Sequence, residues 1–154
     1  MLIRLFAYVV CATFTWYVGD LVFVRNFVVG IYQIDATGIP VSTLSRQALL
    51  VLLCVVLPPS VGLGNQQIFK KIMTCKRWLH IAIVFGLMLC YAMALLLAFL
   101  MLVSAFDKAH SELGICYAVF LSMIIGFLAW DIFQIYRYKK NYKNTDQTQR
   151  FTPQ

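Results

Sequence analysis

Of the six Asp and Glu residues in this chain, Asp20 and Asp131 fall inside apolar runs, where a carboxylate is costly to bury. Proton and cation relays use such acids, provided they lie deep in the membrane and close to one another. The spacing argues against a relay here. Asp20 follows Arg4 by 16 residues, roughly 24 Å at helical rise, which puts it toward the outer interface. Asp131 lies within two helical turns of Arg137, near the inner interface. Each acid is therefore expected to snorkel to its interface or to pair locally, Asp20 with Arg25 or Asp131 with Arg137.

A second feature that could carry chemistry is the stretch from Pro58 to Asn65, with Pro58, Pro59, Gly62 and Gly64. Proline removes a backbone donor and disfavours helix in the residue before it, so a kink or break is expected near Leu57. Broken membrane helices can expose backbone groups to ions or substrates. The plainer reading is a kink whose freed groups a neighbouring helix satisfies. The glycine spacing is neither a P-loop nor a dinucleotide fingerprint.

The two histidines, His80 and His110, belong to opposite ends of one apolar run. No metallopeptidase or serine-hydrolase motif occurs. The five cysteines, Cys11, Cys54, Cys75, Cys90 and Cys116, form no C-x-x-C and read as small packing residues. No catalytic set, metal site or cofactor is expected.

The elements that would position these residues are four apolar runs. Hydrophobic residues make up 62% of the 154 and charged ones 12%, with a mean hydropathy of +0.80. A soluble domain of this length could not cover so much apolar surface. The expected fold is an all-α integral membrane protein, an antiparallel bundle of four transmembrane helices with a kinked or broken second helix. The spans cover about residues 5–24, 44–64, 78–106 and 113–136. The first run opens like a secretory signal, but no small-residue cleavage site follows, so it is kept as a span. A loop over about residues 25–41 holds the turn residues Asp35, Gly38 and Pro40, and a tight hairpin over residues 107–112 joins the last two spans. Residues 65–77 alternate apolar side chains with lysines, as a short amphipathic helix at the membrane surface would. Residues 137–154 form a basic, mobile cytoplasmic tail.

The net charge of +7 is concentrated beside the spans, so it reads as topology and not as nucleic-acid binding. Lys70, Lys71, Lys76 and Arg77 form one cluster and Arg137, Lys139, Lys140 and Lys143 the other. Two spans separate these clusters, which puts both termini in the cytoplasm and the chain in a plasma or bacterial inner membrane. Trp16, Tyr17, Trp78, Trp130, Tyr136 and Tyr138 then fall in the interfacial belts, and the first basic cluster meets lipid headgroups.

One packing pattern stands out. Ala82, Gly86, Cys90, Ala94 and Ala98 recur every four residues in the third span, and Ala118, Ser122 and Gly126 do so in the fourth. Small residues let helix backbones approach closely in lipid, so the two stripes are expected to meet across the hairpin. Functionally, the chain reads as a small polytopic membrane protein acting through protein–protein contacts: an accessory subunit, an assembly partner or an immunity or exclusion factor. Its partners would be membrane lipids and another membrane protein or a second copy of itself. One alternative is a small oligomeric transporter or channel using Asp20 and the Pro58–Pro59 break. Another is a membrane enzyme acting on lipid or isoprenoid headgroups.

Overall fold

Unbroken apolar sequence without internal Gly-Pro turns forms helix in lipid, because only helix satisfies every backbone group within one segment. In the computed structural model, which describes residues 1–28, 41–107 and 111–150, the described residues form five helices. They are α1 (Leu2–Val28), α2 (Val41–Gly62), α3 (Gln66–Thr74), α4 (Arg77–Asp107) and α5 (Ser111–Arg150), and no strand occurs among the described residues. The turn at residues 35–40 and the hairpin tip at residues 108–110 lie outside them. Three helices, α1, α4 and α5, are long and apolar enough to cross a membrane, and a fourth crossing arises if α2 and α3 count as one bent span.

The four long helices form a ring. α1 packs on α2 and α5, and α4 packs on the same two. The core at the centre of this ring includes Tyr8 and Ala12 of α1, Leu49, Leu52 and Val56 of α2, Tyr91, Ala94 and Ala98 of α4, and Phe120 and Ile124 of α5. Outward, large apolar side chains such as Phe6, Phe85, Leu89 and Ile125 are exposed. An apolar surface of this extent suits a lipid surrounding and not water.

The second helix carries both prolines inside it. α2 continues through Pro58 and Pro59 and ends at Gly62. Adjacent prolines cost two ladder bonds, and the ladder resumes at once: the Leu63 N–H donates to the Pro59 carbonyl at 2.9 Å. The chain turns only after Gly62, and α3 leaves at 71° to α2. Asn65 caps the new helix by accepting from the Gln67 N–H at 3.0 Å. α3 is amphipathic as its spacing requires, with Phe69 and Ile72 buried and Lys70 and Lys71 exposed.

α5 also extends further than expected, to Arg150, a helix of 40 residues and about 60 Å. Residues 127–150 contain no Gly or Pro and are rich in Lys, Arg and Gln, which continue a helix at little cost. The basic segment after residue 136 is thus helical as far as Arg150.

Candidate functional site

Near one end of the ring, three helices place polar side chains against each other in an apolar interior. Arg4 of α1 and Asp131 of α5 form a two-pronged ion pair, Nη1 to Oδ2 at 2.8 Å and Nη2 to Oδ1 at 2.5 Å. Tyr91 of α4 adds a third bond, its hydroxyl donating to Asp131 Oδ2 at 2.6 Å. The carboxylate is 1% exposed and Arg4 7%, so both charges are out of solvent and each is neutralised by the other. The paired guanidinium stacks on Phe127, with its carbon 5.2 Å from the ring centroid, and the Tyr8 ring lies edge-on to Phe127 at 5.4 Å. The Tyr8 hydroxyl is buried and has no hydrogen-bond partner among the described residues.

A second ion pair stands at the other end of α1. Asp20 pairs with Arg46 of α2, and Arg46 also lies over the Trp16 ring at 5.1 Å. These side chains are about two-fifths exposed, as suits the rim of the bundle. Asp131 does not take the partner expected from local sequence, while the expected partner of Asp20, Arg25, lies outside the side chains the structure describes. Arg137 is exposed, and Asp131 turns inward to an arginine 127 residues away. The cause is burial: an acid facing the core of the ring cannot reach a cation on the outside of its own helix.

The small-residue positions divide between the inside and the outside of the ring. Ala94 and Ala98 are fully buried, whereas Ala82 and Gly86 are exposed, and Cys90 lies between. A spacing of four residues advances about 40° beyond each full turn, so Ala82 and Ala98 are rotated by about 160° and cannot share a face. The buried face of α4 instead alternates steps of three and four: Tyr91, Ala94, Ala98, Met101 and Ala105. In α5, Ser122 and Gly126 are exposed and Ala118 is half-buried. A Cβ added at Gly86 or Gly126 would meet nothing within 4 Å. The glycine that α4 and α5 do need is Gly114, where a Cβ would come within 2.9 Å of the Phe106 ring.

In the α2–α3 corner, Gly62 is buried and Gly64 partly so. A Cβ at Gly62 would touch Leu87 at 3.0 Å, and one at Gly64 would collide with the Ser60 carbonyl and lie 3.2 Å from Arg4 Cδ. Beside this corner a cavity of about 640 Å³ opens between α1, the start of α3 and α5. Lys70, Lys71, Lys76 and Arg77 are all exposed at this end. A smaller cavity of about 450 Å³ lies between α1 and α2, lined largely by apolar side chains with Asp20 among them.

Arg4, Tyr91 and Tyr8 have no part in the sequence-based site. Part of the signal for Arg4 was available: Asp131 is the only charge in its span, and Arg4 is one of the cations at the same membrane face if both termini are inside. Among the described residues no three His, Cys, Asp or Glu side chains gather as a metal site would require. No family model, no curated relative and no solved structure matches the chain, so what it does has to be argued from this geometry.

Proposed function

We propose that the chain is a four-span membrane protein with both termini in the cytoplasm, and that it acts by binding another membrane protein or a second copy of itself. The observation that carries this reading is the open face around Gly86. Close-approach positions at Ala82 and Gly86 are left unused within the fold, and such faces in lipid are the ones helices pack on. The charges that a transporter would need, Asp20 and Asp131, are occupied by Arg46 and Arg4. An accessory, assembly or immunity role fits a chain whose polar chemistry is spent on holding itself together.

Gly86→Leu is therefore expected to leave unfolding in detergent within about 0.5 kcal/mol of the parent, because the side chain enters open space. The same change should cut association severalfold. Energy transfer between labelled copies in vesicles reads self-association, and crosslinking in native membranes reads a different partner. Copies that stay monomeric, with no crosslinked partner and an unaltered cellular phenotype for Gly86→Leu, would overturn the reading.

The topology has its own test. A fluorescent reporter that matures only in the cytoplasm should be bright after Gln154, and a periplasm-active or lumen-active reporter should be silent there, because the two basic clusters are retained on one side. The reverse pattern rejects the four-span, both-inside arrangement.

A further inference from the structure

We propose that the cavity beside the α2–α3 corner holds one anionic glycerophospholipid, its phosphate at the Arg4 end and its chain along α5. This rests on the membrane reading and not on the docking face at Gly86. The volume of about 640 Å³ falls within the ~300–1,000 Å³ of ordinary ligand sites. Its rim residues Ile3 and Trp130 are exposed, so a chain can leave sideways into the bilayer.

The lining changes character along α5. Met123, Gly126 and Phe127 form the apolar stretch, followed one turn at a time by Trp130 and Gln134. From Met123 to Gln134 the face runs about 16 Å, apolar at one end and hydrogen-bonding at the other. Gly126 keeps the apolar stretch open, since no side chain fills the space above it. This is the polarity of a lipid and not of a soluble metabolite.

At the polar end the lining offers hydrogen-bond donors, and because Asp131 balances the Arg4 charge, the preference for an anion falls to the exposed basic rim. Arg4 lines the cavity and is nine-tenths buried. Asp131 takes one N–H from each terminal nitrogen, which leaves three of the five guanidinium donors beyond that pair. Gln66 and Gln134 add amide donors, and no acid lines the cavity among the described residues. Lys70 is exposed one turn beyond Gln66 on the same face of α3, at the end of the molecule that also carries Lys76 and Arg77. A phosphodiester is an acceptor that would use these donors, and a basic rim raises its local concentration.

The test is native mass spectrometry of the purified full chain in mild detergent, titrated with phosphatidylglycerol or phosphatidylcholine. One phosphatidylglycerol should be retained in preference to phosphatidylcholine. Millimolar inorganic phosphate should not displace it, because the apolar stretch contributes to binding. Lys70→Gln should weaken the preference about fivefold, the effect of one basic residue near a headgroup. Gly126→Leu should abolish retention of either lipid by filling the apolar stretch. Equal retention of both lipids, or displacement by phosphate alone, would overturn the proposal. So would undiminished retention by a folded Gly126→Leu protein. Should that variant fail to fold, Lys70→Gln decides, since an exposed lysine has no part in the core: an unchanged preference rejects the site and a reduced one supports it.

Discussion

Asp131→Ala is expected to lower the stability of the purified protein by about 3–5 kcal/mol, read as a fall in the thermal or denaturant midpoint in detergent. The cost comes from what remains. Arg4 is left buried with no counter-charge, and the Tyr91 hydroxyl loses its acceptor. Stranded charges and donors of this kind cost more than the intact pair contributes. Asp20→Ala should behave otherwise. That pair is about two-fifths exposed, water can solvate the freed Arg46, and a change of about 0–1 kcal/mol is expected. The contrast between these two acids is the core of the prediction.

Removing the network completely should be gentler than breaking it. A triple variant, Arg4→Leu, Tyr91→Phe and Asp131→Leu, leaves no stranded polar group and should recover most of the loss. A triple variant as unstable as Asp131→Ala would show that packing volume, and not charge, dominates at this junction. The functional consequence is separable as well. If Asp131 only holds α1, α4 and α5 together, the triple variant should reach the membrane and keep its association with partners. A folded triple variant that reaches the membrane but is inactive would instead assign the network of Arg4, Tyr91 and Asp131 a direct role.

Much of the architecture is legible in the sequence, for physical reasons. Long apolar runs must become helices in lipid, so α1, α4 and α5 follow from composition alone. The α3 segment is readable because lysines alternate with Phe69, Ile72 and their neighbours at helical spacing. What periodicity does not supply is rotation about each helix axis. A four-residue repeat looks like one stripe on paper but turns by about 40° at every step, so Ala82 and Gly86 end up outside while Ala94 and Ala98 lie inside. On the inward faces Tyr91 and Asp131 meet through a bond made across 40 residues of chain. A local reading gives Asp131 to Arg137, whereas helix packing gives it to Arg4. The double proline does not by itself locate the corner. Pro58 and Pro59 interrupt the hydrogen-bond ladder without ending it, and the true corner falls where Gly62 and Gly64 permit close contact and Asn65 caps the next helix.

Gly64→Ala tests that corner and its tie to the ion pair. The added Cβ would collide with the Ser60 carbonyl, a backbone atom that cannot rotate away, and would press on Arg4 Cδ at 3.2 Å. Relief requires the α2–α3 corner to open or Arg4 to move, and overpacking of this kind costs about 1–3 kcal/mol. Gly86→Ala, facing open space, should be silent in the same assay. If the relief is taken by Arg4, its bonds to Asp131 are already weakened in Gly64→Ala, so Asp131→Ala should cost less on that background. The double variant would then be more stable than the sum of the two losses predicts, by about 0.5 kcal/mol or more. Strict additivity would place the strain in the backbone between Ser60 and Gly64 and free the ion pair from any dependence on the corner. An unchanged midpoint for Gly64→Ala would mean that the close approach at Ser60 is absent in the folded protein.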